Sequence, residues 1–183
     1  MSRLPDPKKL ALIRYPDPRL RTRCAPVTEF TDALHGIAKR MVEIMRQSKG
    51  VGLAAPQVGL NIRLFVCQAP DEKEATICVN PRLDLGDETM VADEGCLSIP
   101  DVTVAMTRSR TAMLTAFDAR GREFRADGAD ILARIWQHEN DHLDGKLIID
   151  RMTAAEKIAN RRFLRDLEKE FEPSRRGAPR TSR

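Results

Sequence analysis

His138-Glu139-Asn140-Asp141-His142 holds two of the three histidines in the 183-residue chain, four residues apart with a glutamate between them. Residues four apart on a helix share a face, so both imidazoles can bind one ion, and the glutamate can reach a water bound to that ion. A catalytic site of this kind needs three protein ligands and an open position. The zincin continuation His-x-x-Gly-x-x-His is met at Gly145 but fails at Ile148, and Arg161 and Arg162 occupy the region where other zincins carry a glutamate ligand. His35, the remaining histidine, falls on a different helix. A cysteine or a carboxylate is left for the third position. The best candidate is Cys96 in Glu94-Gly95-Cys96-Leu97-Ser98-Ile99-Pro100, where a glycine precedes the thiol and a strand follows. A lone cysteine is ordinarily a small buried hydrophobe, the reading given to Cys24, Cys67 and Cys78.

The elements that must position these groups follow from the apolar spacing. Ile131, Ile135, His138 and His142 recur at four, three and four residues, so the histidines extend an apolar stripe facing the core. The spacing predicts this helix from Asp127 or Gly128 to about Leu143, with Gly145 as its stop. An earlier amphipathic helix is expected over residues 28–49, with Thr28 or Thr31 as N-cap and Gly50 as stop. Short strands are expected at Ile62–Cys67, Ala75–Val79, Val102–Met106 and Thr111–Phe117. Asp118-Ala119-Arg120-Gly121 reads as a hairpin turn returning through Glu123–Arg125. A third, heavily charged helix is expected from Thr153 to about Phe171, ahead of Pro173. Helix, then strands, then helices implies an α+β fold.

Composition narrows the function classes. Hydrophobic residues are 42% and charged residues 32% of the chain, and no apolar run reaches the roughly 18 residues of a membrane span. The first nine residues carry Pro5 and Pro7 and no apolar stretch, so no secretory signal is expected. Four irregularly spaced cysteines in such a chain point to reduced thiols and a cytoplasmic setting. Residues 151–183 carry +5 while the rest carries −1, so the net charge of +4 belongs to the C-terminal segment. Residues 1–172 are expected to form one catalytic domain including the charged helix, with residues 173–183 as a basic, flexible tail.

Three segments together resemble the three motifs of peptide deformylases, in the family's order: Gly50-Val51-Gly52-Leu53-Ala54-Ala55-Pro56-Gln57, Glu94-Gly95-Cys96-Leu97-Ser98, and Gln137-His138-Glu139-Asn140-Asp141-His142-Leu143-Asp144-Gly145. The resemblance runs from about Tyr15 to Met152. It implies the deformylase-like fold, antiparallel strands packed around a central metal-binding helix, and removal of formyl from the N-terminal formylmethionine of nascent polypeptides, releasing formate. Carried over by position, Cys96, His138 and His142 are the metal ligands and Glu139 the general base and acid. Gln57 and the Leu97 N–H hold the developing oxyanion. Arg108 matches a basic residue downstream of the cysteine motif, whereas Thr103 stands where well-known bacterial members carry an arginine near the peptide cleft. The segment from Gly50 to Ala55, otherwise a plain helix-to-strand loop, becomes an edge on which a peptide lies as an added strand. Val51, Gly52, Ile131 and Ile135 are the expected substrate contacts.

A mixed sulfur and nitrogen site with an open position suits zinc by coordination preference, whereas the resemblance implies Fe2+, with Zn2+, Ni2+ or Co2+ as substitutes. It also implies docking of the basic C-terminal helix and tail on the ribosome. Two other readings compete: a His-Glu-x-x-His zincin-like metallopeptidase, opposed by Ile148, and a catalytically idle ribosome-binding module, which has no use for Glu139, Gln57 or Cys96.

Overall fold

The computed structural model describes residues 4–171, so the expected basic tail at 173–183 lies outside the described residues. Strands β1 (Gly52–Ala54), β2 (Leu64–Cys67), β3 (Thr76–Leu85), β6 (Thr111–Phe117) and β7 (Glu123–Ala129) form one antiparallel sheet in the order β1-β2-β3-β6-β7. Strands β4 (Thr89–Cys96) and β5 (Ile99–Ser109) form a separate hairpin. Helices α1 (Asp32–Gln47) and α2 (Asp130–Leu143) cover the two faces of the sheet. Alternation along β2 shows why: Leu64 and Val66 join the α1 core, while Phe65 and Cys67 join the α2 core with Trp136, Leu114 and Ala133. Side chains alternate faces along a strand, so a strand covered on both sides is apolar throughout. The α+β class holds.

Thr31 caps α1, its Oγ1 accepting from the Leu34 N–H at 3.3 Å. The chain leaves α1 one residue before the expected glycine: Lys49 takes the left-handed conformation (φ 56°), and the Gly50 N–H donates to the Met45 carbonyl. At the end of α2, Gly145 (φ 72°) is the stop expected. Its N–H donates to His142 O and that of Lys146 to Asp141 O, and a Cβ at 145 would strike the Arg21 carbonyl.

Two expectations are corrected and one unexpected strand is added. Helix α2 starts at Asp130, not at 127 or 128, because β7 keeps pairing with β6 to Thr111↔Ala129. Strand β4 was not legible: Thr89-Met90-Val91-Ala92-Asp93-Glu94 has no apolar alternation, and pairing with β5 rather than burial holds it. The single third helix is two, α3 (Ala154–Ala159) and α4 (Arg161–Glu170), broken at Asn160, whose amide donates to Glu156 O and Thr103 O. Leu164 and Leu167 of α4 pack on Val102, Val104 and Met106 of β5, so Thr103 sits beneath this helix junction. Among the described residues no helix is long and apolar enough to cross a membrane.

Candidate active site

Helix α2 passes between the sheet and the β4–β5 hairpin, and polar clamps fix it there. Gln137 exchanges hydrogen bonds with the backbone of Ser109 at 3.0 and 2.8 Å. Arg63 donates to Asn140 and Asp144 at 3.0 and 2.9 Å. The opposite face of α2 presents His138 and His142 to the end of β4. One ligand atom each from Cys96, His138 and His142 lies within 4.8 Å of the others. Cys96 owes its place to the two-residue turn Leu97-Ser98, which joins β4 to β5 with Cys96 paired to Ile99. The other cysteines, Cys24, Cys67 and Cys78, are buried in the core as expected.

His138 Nδ1 bonds Glu94 Oε2 at 3.0 Å, which leaves Nε2 as the donor atom. His142 Nε2 lies 3.3 Å from Cys96 Sγ. Burial, aided by the positive charges of His138 and Arg108, holds His142 well below the usual imidazole range, in the neutral form that binds metals. Burial also works to lower His138, but its bonds to Cys96 and Glu94 outweigh this and raise it. Burial would raise Glu94 too; its hydrogen bonds to His138 and Arg108 hold it down to about 2. Glu94 is thus an ionised carboxylate that orients the His138 ring, a role sequence reasoning did not assign. Its partner Arg108 is buried, donating to Glu94 at 3.0 and 2.9 Å and to Asp141 at 2.5 Å. The signal was present: Arg108 continues the buried alternation Val102, Val104, Met106 of β5, and a charge on a buried face needs a charged partner.

Glu139 projects beside the histidines. Burial pushes its carboxyl up to about 7, and Oε2 has no hydrogen-bond partner. It lies against Gly52 of β1, where a Cβ would collide with the carboxylate. Gln57, in the 3-10 turn Ala55–Val58, is fixed by the Ala54 N–H donating to its Oε1 at 2.8 Å. This turns Nε2 toward Cys96 Sγ at 3.6 Å and Ser98 Oγ at 3.3 Å. The irregular N-terminal segment ties both supports together, Ile13 N–H donating to Gln57 O and Tyr15 N–H to Ser98 O.

The cleft over these groups has a volume of about 400 Å³ and includes Val51, Gly52, Gln57, Leu97, Ile135 and Glu139 in its walls. Ile131 lines it as well and is 47% exposed. That corrects the expected stripe: Ile135 and His142 are buried and His138 nearly so, but Ile131 opens onto the cleft. Strand β1 ends the sheet, so one of its edges carries no neighbour within the sheet.

One thiolate and two imidazoles of this spacing, with an unpartnered carboxylate beside them, fit a single transition-metal ion with an open position. Such a site, on a helix buried between antiparallel strands, has the make-up of a metal-dependent hydrolase. The polypeptide deformylase profile matches residues 9–158. A peptide deformylase of Acidothermus cellulolyticus is 41% identical over 154 residues, covering 84% of each chain. One of Thermotoga sp. strain RQ2 is 43% identical over 154 residues, covering 84% of this chain and 93% of that one. The crystal structure of a peptide deformylase from Legionella pneumophila matches with a TM-score of 0.82 at 34% identity, covering 87% of this chain and 95% of that chain. The chain belongs to the polypeptide deformylase family. It is a metal-dependent enzyme of the class that removes formyl from N-terminal formylmethionine.

Proposed function

We propose that Cys96, His138 and His142 hold the metal, that Glu139 moves the proton, and that Gln57 and the Leu97 N–H stabilise the oxyanion. The observation that carries this reading is the convergence of three ligand atoms within 4.8 Å beside a buried, unpartnered carboxylate. A divalent ion held by Cys96, His138 and His142 would supply Lewis acidity to the attacking water and the formyl group. Glu139 takes a proton from the attacking water and delivers it to the departing amine. Gln57 Nε2–H, held in place through Ala54, donates to the oxygen as charge gathers on it, and Leu97 adds a main-chain donor. The peptide lies along the open edge of β1 at Val51 and Gly52. Its first side chain rests on Ile131 and Ile135. Residues 4–171 act as one catalytic unit. Turnover of formyl-Met-Ala-Ser, with none of acetyl-Met-Ala-Ser or of an internal peptide bond, is the expected result. Cleavage of the internal bond would favour the metallopeptidase reading.

We assign ferrous iron as the native metal and the cytoplasm as the compartment, on the strength of the family resemblance. Thiolate and imidazole ligands accept iron, nickel, cobalt and zinc alike. Activity that decays in air and is protected by catalase or nickel supports iron; a zinc-loaded, fully active, oxygen-indifferent enzyme refutes it.

Ribosome docking belongs to the same reading. Arg161, Arg162, Arg165 and Lys169 share one side of α4, and Asp166 pairs there with Arg162 and Lys169 at 3.9 and 3.5 Å. Among the described residues Arg161 and Arg165 have no ion pair, which leaves positive charge for an anionic surface such as ribosomal RNA. Arg161→Glu with Arg165→Glu is expected to abolish salt-sensitive co-sedimentation with ribosomes while leaving short formyl peptides as good substrates. Unchanged co-sedimentation would reduce α4 to a solvated helix.

A further inference from the structure

The cleft wall contains a cation that the proposed chemistry leaves unused. Arg134 lies one helical turn before His138, between Ile131 and Ile135 in sequence, and lines the same cleft as both. Its Nη2 donates to the Asp93 carbonyl at 3.0 Å and to Glu94 Oε1 at 3.5 Å. Among the described residues its buried Nε–H and its Nη1 have no hydrogen-bond partner. A guanidinium carries five N–H donors, and here those on two of its three nitrogens are spare. The side chain is 11% exposed, and a buried donor left unmet costs stability.

The position of these donors along the helix decides what they meet. With the formyl group at His138 and Glu139, the first side chain of the substrate runs toward Ile135 and Ile131, the direction of Arg134. One helical turn rises about 5.4 Å, close to the reach of an extended methionine side chain. Its sulfur therefore passes along the wall that Arg134 lines. A thioether is a weak acceptor, whereas a sulfoxide oxygen is a strong one.

We propose that Arg134 is a specificity-determining residue whose Nη1 donors, on the cleft wall, meet the first substrate side chain and admit one ending in a hydrogen-bond acceptor, methionine sulfoxide in particular. This rests on the deformylase reading and goes beyond it: an apolar pocket of Val51, Ile131 and Ile135 alone would reject the oxidised residue. A hydrogen bond to a charged donor is worth roughly a 10- to 100-fold change in rate.

The experiment compares formyl-Met-Ala-Ser with its methionine sulfoxide form on the metal-loaded wild type and on Arg134→Leu, which keeps the apolar bulk. Wild type is expected to process the sulfoxide within about tenfold of the parent peptide, and Arg134→Leu to widen that gap by about 10- to 100-fold. If Arg134 serves only to clamp β4 to α2, both substrates slow together and the ratio stays fixed, which overturns the proposal. If Arg134→Leu does not fold, wild type alone decides, and rejection of the sulfoxide by more than about a thousandfold refutes it. Failure of wild type on the parent peptide overturns the deformylase reading and this proposal with it.

Discussion

Gly52→Ala reaches the proposed proton-transfer step without replacing a candidate ligand or an ionisable group. Gly52 is not in the left-handed region, so alanine fits its backbone. Its Cβ, however, would fall on Glu139 Oε1, within 2.7 Å of Cδ and 2.9 Å of Cγ. Contacts of that kind sit near 3.5 Å or more, so the carboxylate must retreat by about 1 Å. It has little room, because Glu139 is 4% exposed and β1 is pinned by its pairing to β2. A misplacement of about 1 Å costs roughly a hundredfold, or about 2.7 kcal/mol in barrier at 1.36 kcal/mol per decade. The loss should fall on kcat on formyl-Met-Ala-Ser, with metal content kept. Glu139→Asp withdraws the carboxylate and makes space, so the double variant should lose less than the product of the two single losses, a coupling expected for residues in contact. Wild-type kcat in Gly52→Ala, or strictly multiplicative losses, would refute the assignment of Glu139 as the group that must sit where Gly52 lets it.

Glu139→Ala should keep metal and fold while losing about 10²- to 10⁴-fold in turnover; a metal-free protein or near-normal rates would show the role to be wrong. Cys96→Ser and His138→Ala should each lose stoichiometric metal by elemental analysis, since neither hydroxyl nor methyl replaces the native donor. Arg108→Met leaves Glu94 and Asp141 without their shared buried cation and should destabilise the fold by about 3–5 kcal/mol in denaturant titration. A loss below about 1 kcal/mol would show that the carboxylates find other partners.

The sequence made the metal helix legible because its signals are local: two histidines one turn apart, an apolar stripe and a glycine stop all lie within 15 residues. Its first turn was misread because long-range pairing of β7 with β6 overrides local helix propensity as far as Ala129. Strand β4 was invisible for a related reason. Met90, Ala92 and Glu94 alternate with Val91 and Asp93 without an apolar face, so only the partner strand reveals it. The Cys96, His138 and His142 cluster needed the motif comparison, since nothing in residues 90–100 alone says that this thiol meets a helix some 40 residues on. Arg134 went unremarked because an arginine beside a buried stripe reads as a solvated flank, and only the fold turns that flank into a cleft wall.

The two glutamates near His138 show how the fold makes unlike reagents from one side chain. Glu94 comes from a hairpin whose return strand brings Arg108 to the same carboxylate, so its negative charge is held by a guanidinium and an imidazole and falls to about 2. Glu139 is one residue from His138 but points at β1, where a glycine and an apolar wall offer no hydrogen bond to Oε2, and burial carries it to about 7. On the proposed roles, an orienting group should stay ionised throughout the working range, while a proton carrier should exchange its proton near the working pH. Exchanging the two environments would leave neither carboxylate suited to its place. The division follows from which strand each glutamate faces: β5 presents an arginine on its buried side, and β1 presents only backbone.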